Sequence, residues 1–319
     1  SGNCMHVLSF VSDPIQNIDR CRRGLSVGIL VLGLLMWGGV PAQAQDGGVS
    51  ESDYYRLMSL PVPEDVTLEV GGMTRLPDGQ LGVTTRRGEV WLIENPTLAG
   101  GAEPTYTRFA HGLHEPLGLA HKDGALIANQ RGELTRMVDT DGDEIADRYE
   151  NITSWKLAGN YHEYSYGPEV LPNGDLFVTL NLAWIGRGSS LEPWSGWALR
   201  VSPDGDVSPV AAGMRSPAGF GTNAEGDLFY SENQGDWIGS GRITHVEEGD
   251  FVGHPSSLKW ADHPDSPVDL PPEDIPDSGA PMHEVAEQVP GLKLPAVWFP
   301  HGIMGISTSD ILVDSTGGA

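Results

Sequence analysis

The chain has 319 residues, with 44 acidic against 19 basic side chains and a formal net charge of −25. Such acidity excludes nucleic acid and anionic lipid surfaces as natural partners, since both repel a polyanion. Two cysteines in the whole chain, Cys4 and Cys21, exclude a disulfide-stapled scaffold.

Residues 1–44 read as an export leader. Arg20, Arg22 and Arg23 precede an apolar run from Leu25 to Val40, and Ala42-Gln43-Ala44 supplies small residues for a cut after Ala44. The run is short against the ~20 apolar residues of a spanning helix. The expectation is therefore an exported protein, periplasmic or extracellular, with no membrane span in the mature chain. Both cysteines fall in the leader, so the mature residues hold no CxxCH haem attachment. Residues 45–61 read as an N-terminal linker, and 62–319 as the folded part.

From residue 62 onward one pattern repeats: a short strand, a turn ending in glycine, an apolar/polar alternating strand, then a further strand. The four copies contain "MTRLPDGQLGVTTRRGEVWLI", "LGLAHKDGALIANQRGELTRMV", "GPEVLPNGDLFVTLN" with "GWALRVSPDG", and "PAGFGTNAEGDLFYSENQGD" with "GRITHVEEG". Their turn glycines, Gly79, Gly124, Gly174 and Gly226, are 45, 50 and 52 residues apart, the period of propeller blades. Short half-buried sheets cannot cover both faces alone, whereas blades packed around an axis can. The fold class predicted is all-β, a β-propeller; a β-sandwich is the rival, but it does not repeat its loop motifs so regularly.

Within the second repeat, "DTDGDEIADRYE" places Asp139, Asp141, Asp143 and Asp147 at positions 1, 3, 5 and 9 of a loop, with the Ile145 carbonyl at 7 and Glu150 at 12. Alternate carboxylates in a tight turn suit a hard cation such as calcium. Glu144 occupies the sixth position, where calcium loops normally carry glycine. A structural role fits this loop better than a catalytic one.

His162 precedes the inner strand of the third repeat, where propeller loops line the central mouth; His301 holds a similar place further on. The fourth repeat brings "GMRSPAGF" (213–220) and "YSENQGDW" (230–237). Residues 255–295 then interrupt the pattern with nine prolines and several acids, predicting a long excursion from a blade edge, partly extended or mobile. A new repeat opens at "PAVWFPHGIMGISTSDILVDSTGGA". Four repeats and the start of a fifth predict a truncated ring. The sequence carries no HExxH, GxSxG, P-loop or strand-linked GxGxxG, so zincin, nucleophile-elbow and nucleotide chemistry find no support.

The repeat with these two clusters resembles the glucose/sorbosone dehydrogenase propellers, six-bladed proteins of which some bind pyrroloquinoline quinone. It is most similar to large exported members whose C-terminal extensions carry haem-binding modules. The likeness runs from about residue 62 to 260 and resumes near 296. It implies that Arg215 meets the quinone oxygens, with Ser216 standing where the pattern usually has Asn. It also implies that the loop of Glu232, Asn233, Gln234, Gly235 and Asp236 contacts the cofactor, with Gln234 and Gly235 where family carbonyls hold calcium; the family's proline is absent. His162 matches the histidine that takes the substrate hydroxyl proton, across a one-residue gap.

The resemblance thus implies a dehydrogenase oxidising a sugar or other alcohol with pyrroloquinoline quinone and calcium, and a cytochrome or haem-domain electron acceptor. A non-catalytic propeller binding carbohydrate or a protein stays open, as does a calcium-dependent lactonase-like hydrolase. Central Arg and His would favour the first reading and central acids the last.

Overall fold

The computed structural model describes residues 4–5, 56–305 and 307–312. All but two residues of the expected leader, and 45–55 of the expected linker, lie outside the described residues. At the four turns, Gly79, Gly124, Gly174 and Gly226 adopt φ of 95°, 75°, 87° and 90°, the left-handed conformation that glycine adopts without steric cost. Asp78, Asn173 and Asn223 brace three of these turns by accepting the backbone N–H two residues on.

Each repeat forms a four-stranded antiparallel meander in which sequential strands pair. Blade one contains β1 (Val70–Arg75), β2 (Leu81–Thr85), β3 (Glu89–Glu94) and β4 (Thr105–His111). Blade two contains β5 (Leu119–Lys122), β6 (Ala125–Asn129), β7 (Glu133–Val138) and β8 (Arg148–Ser154). Blade three contains β9 (Ser165–Val170), β10 (Leu176–Leu180), β11 (Trp197–Val201) and β12 (Val207–Ala212). Blade four contains β13 (Pro217–Thr222), β14 (Leu228–Glu232), β15 (Gly241–His245) and, far along the chain, β16 (Val297–Phe299).

The first strands β1, β5, β9 and β13 contact one another in succession, as strands do around a propeller axis. Glycine is required where they converge: a Cβ on Gly118 would fall 1.5 Å from the Gly167 carbonyl oxygen. The second strands differ from the half-exposed alternation expected of them. β6 and β10 are buried along their whole length, because a neighbouring blade covers each face. Their polar residues are consequently bonded inward; Thr179 Oγ1 donates to the Pro217 carbonyl of the next blade at 3.2 Å.

The core lies between blades. Val90, Leu92 and Phe109 of blade one pack with Leu119, Leu126 and Met137 of blade two. Ile127 and Leu134 meet Leu176, Val178 and Leu180 of blade three, and Phe177 packs edge-on against Phe220 of blade four with centroids 5.4 Å apart. Each large apolar side chain buried this way contributes roughly 1.5–3 kcal/mol.

The Pro-rich segment 255–295 is folded onto the blades rather than extended. Leu258, Val268, Ile275, Val285 and Val289 join Trp197 and Leu199 in one apolar cluster. Phe251, just before the segment, bridges in parallel to Ala212 at the end of β12 and to Leu292, so an outer strand edge is covered. Apolar residues spaced among the prolines account for this packing. The segment is inserted within blade four, so Val297–Phe299 completes that blade by pairing with β15. The start of the next repeat comes later, at 307–312. There Asp310 and Ile311 lie against Gly219 and Gly221 of β13, so closely that a Cβ on either glycine would meet their backbone at 2.5 Å.

Candidate active site

In an antiparallel meander the connections alternate between the two ends of the strands. The glycine turns therefore share one end, while loops entering each first strand and leaving each second strand share the other. His162 enters β9, Arg215 enters β13, and Asn233–Asp236 leave β14, so all lie on the same mouth.

The backbone of one residue joins the first two. Leu182, just beyond β10, donates its N–H to the Arg215 carbonyl at 2.9 Å, and its carbonyl lies 3.3 Å from His162 Nδ1. A carbonyl only accepts, so this contact calls for a proton on Nδ1, whereas the Asn181 side-chain amide on the same nitrogen donates and calls for the Nε2–H tautomer. Asn181 steadies the loop by accepting the Tyr164 N–H at 2.6 Å, with its Nδ2 3.3 Å from the same imidazole nitrogen. Burial holds the half-buried imidazole below its ordinary pKa, and the Arg215 and Arg131 charges push the same way against the Leu182 bond.

Arg215 is seated from beneath. Glu232, fully buried at the end of β14, accepts from the Arg215 N–H and from the Ser216 N–H at 2.8 Å. Its other oxygen accepts from Arg242 and from the Tyr230 hydroxyl at 3.1 Å. The Arg215 guanidinium reaches Asp236 Oδ2 at 3.2 Å and Ser216 Oγ at 3.4 Å. Gly235 is needed for this seat, since a Cβ there would lie 2.5 Å from Arg215 Cδ. Asn233 Oδ1 and Gln234 Oε1, in the same loop, are buried without a partner. Buried orphan acceptors cost about 1–3 kcal/mol each, and they suit a cation or a donor group.

Three contributors were not singled out from sequence. Trp184 sits with its ring 5.6 Å from that of His162 and 6.0 Å from the Arg215 Cζ, yet remains 53% exposed. Tyr161, 63% exposed, lies 6.3 Å from Trp184. Arg131 bonds the Glu163 and Asn160 carbonyls and pairs with Glu115 at 2.9 Å. A loop tryptophan carries no periodic signal, but Arg131 follows β6 at the position that Leu182 and Asn233 approach in later repeats, and an aligned repeat exposes it.

The acidic loop lies at the other end. It joins β7 to β8, and Glu144 contacts Gln80 beside the first blade's glycine turn. Asp139, Asp141 and Asp147 bring a carboxylate oxygen each within 4.8 Å of one another. Glu144 adopts φ 65°, so the backbone takes the turn that glycine normally makes in such loops. Asp143 Oδ1 accepts the Ile145 N–H at 2.9 Å and stands outside the converging trio. Glu150 also stands outside it, in β8, paired with Arg148 at 3.0 Å and Arg136 at 3.5 Å. The Asp143 and Asp147 charges raise the Asp141 pKa. Near the same end of the axis, burial pushes up the carboxyls of Glu169 and Asp310. His301 occupies an exposed turn between β16 and segment 307–312.

No family model matches the sequence, and no curated protein matches it. Solved structures do. The PQQ-bound form of an aldose sugar dehydrogenase from Streptomyces coelicolor matches with a TM-score of 0.53 and 17% identity, over 73% of this chain and 69% of that one. A glucose dehydrogenase crystal structure matches with a TM-score of 0.50 and 15% identity, over 73% and 72%. The fold is that of these sugar dehydrogenase propellers. The chain spans 65%, 69% and 72% of the length of three solved structures that it matches. No helix among the described residues is long and apolar enough to cross a membrane.

Proposed function

We propose that the protein is an exported dehydrogenase of the quinoprotein type, oxidising a sugar or other alcohol at the mouth formed by His162, Arg215 and the 233–236 loop. The observation that carries this reading is the Leu182 backbone, which ties a half-buried histidine to an arginine beside it. The shared fold with a PQQ-bound aldose sugar dehydrogenase supports the same class.

The mouth residues fit a planar anionic quinone with a cation. Arg215 and Arg131 present guanidinium donors there, each already sharing its charge with a carboxylate, Asp236 at 3.2 Å and Glu115 at 2.9 Å. The unpartnered Asn233 Oδ1 and Gln234 Oε1, with the Gly235 backbone, offer oxygens to calcium. Bound there, pyrroloquinoline quinone would supply a two-electron centre that accepts hydride from the substrate carbon. With Nδ1 protonated toward the Leu182 carbonyl, His162 Nε2 takes the proton of the hydroxyl being oxidised, and its depressed pKa keeps the ring neutral for that task. Arg215 would offset negative charge on the cofactor held there. Trp184 and Tyr161 offer apolar ring faces to a sugar's C–H face. We assign a separate, structural calcium to Asp139, Asp141 and Asp147, because three carboxylates, two of them exposed, converge there at the opposite end from His162.

The test is dye reduction by the whole protein supplied with calcium and pyrroloquinoline quinone, across a panel of sugars and alcohols. Turnover lost in His162→Ala is expected. Sugar binding without turnover would leave a carbohydrate-binding propeller instead, and hydrolysis of lactones would move the chemistry to the acids.

A further inference from the structure

A cavity distinct from the mouth lies beside it. It encloses about 600 Å³ between the loop leaving β14 and the inserted segment 255–295, with Arg187, Trp237, Asp277 and Trp298 in its walls. That volume lies within the roughly 300–1,000 Å³ of small-ligand sites and exceeds the needs of a single pyranose ring.

The wall is built rather than incidental. The Arg187 guanidinium stacks 4.5 Å from the Trp237 ring centroid and bonds both Asp277 oxygens, at 2.6 and 3.3 Å. Its backbone is clamped from below: the Arg187 carbonyl lies 2.8 Å from His254 Nε2, and the next carbonyl, of Gly188, accepts from Ser256 Oγ at 2.7 Å. His254 is itself buried, so the arginine loop is positioned by the segment that forms the facing wall. The cavity also adjoins the mouth through one residue. Asp236 accepts from Arg215 through its carboxylate at 3.2 Å and from Arg187 through its carbonyl at 3.5 Å.

The chemistry selects the occupant. Arg187 and Asp277 neutralise one another, and the charge of the chain disfavours an anion. What the walls offer is exposed indole surface at Trp298, together with a planar guanidinium–carboxylate pair whose remaining donors and lone pairs point to hydroxyl groups. A neutral ligand with apolar C–H faces and many hydroxyls matches both.

We propose that this cavity is a carbohydrate subsite, holding the distal units of an oligosaccharide whose terminal unit enters the mouth. The proposal rests on the sugar-oxidising reading for the direction of the chain, but binding is measurable without turnover. Calorimetric titration of the whole protein with glucose, with cellobiose and cellotriose, and with maltose and maltotriose is the experiment. Affinity should rise at least tenfold from monosaccharide to trisaccharide in one of the two series. That gain should vanish in Asp277→Ala and in Trp298→Ala, with glucose affinity unchanged. Asp277 is exposed, so its variant keeps the test open should the tryptophan variant fold poorly. Affinity independent of chain length in both series, no binding of any of these sugars, or a gain that survives Asp277→Ala would overturn the subsite. Length-dependent binding in a protein that oxidises nothing would keep the subsite and remove the dehydrogenase; glucose oxidation without length dependence would do the reverse.

Discussion

Replacing Glu232 by Gln should unseat the mouth from within. The carboxylate is fully buried and serves four donors: the Arg215 and Ser216 N–H groups, the Tyr230 hydroxyl and the Arg242 guanidinium, which is itself only 3% exposed. Glutamine keeps the shape but removes the charge and turns an NH2 toward Arg242 or the amides. Breaking a buried ion pair from one side costs about 3–5 kcal/mol, because the remaining charge stays in a low dielectric without compensation. At roughly 2–4 °C per kcal/mol for a domain of this size, the melting temperature should fall by about 6–20 °C. Thermal and urea unfolding of Glu232→Gln, Arg242→Met and the double variant form the assay. Since the partner charge carries the penalty, the double variant should recover most of the loss. A Glu232→Gln protein melting within about 2 °C of wild type, or a double variant that loses the sum of the two singles, would refute the reasoning.

Other consequences follow from neighbouring observations. Gly118→Ala should destabilise the protein by about 1–3 kcal/mol or more, read by urea denaturation, because its Cβ would strike the Gly167 carbonyl of the next blade. Calorimetry should find calcium uptake that falls by one site in Asp141→Asn/Asp147→Asn while sugar oxidation persists, since the acidic trio lies away from the mouth. NMR titration should place the His162 pKa below 6.5, and Arg215→Met should move it upward by removing one of the charges that depress it. The unfolded chain binds this proton more readily, so the His162 contribution to stability is present above pH 6.5 and is lost as pH falls through the folded pKa.

Blade spacing was legible because each turn repeats the same demand for positive φ, and the glycine satisfying it recurs about every 50 residues. Burial of the second strands was less so. Thr179 and Asn129 read as outward residues in an alternating strand, whereas propeller packing covers both faces and makes them internal ligands of neighbouring blades. The position of the insertion was hidden for a related reason: a three-residue strand, Val297–Phe299, resembles the opening of a repeat as much as the end of one, and only its pairing with β15 decides. At the site, His162, Arg215 and Gly235 were found through loop position and resemblance. The Leu182 backbone that links two of them leaves no trace in side-chain identity. The Glu232–Arg242 pair had a faint signal, opposite charges directly across β14 and β15. Of the acidic loop, the converging trio was visible in the alternation of aspartates, but Glu150 continues into a strand and finds arginines instead.

The measurement that bears most directly on the account is equilibrium titration of the calcium-loaded whole protein with pyrroloquinoline quinone, followed by quinone absorbance and by quenching of Trp184, with Trp184→Phe as the control for that signal. Saturable binding of one quinone per chain is predicted, weakened at least tenfold in Arg215→Met and abolished as a Trp184 signal in the control. Absence of saturable binding, or affinity indifferent to Arg215, would contradict it.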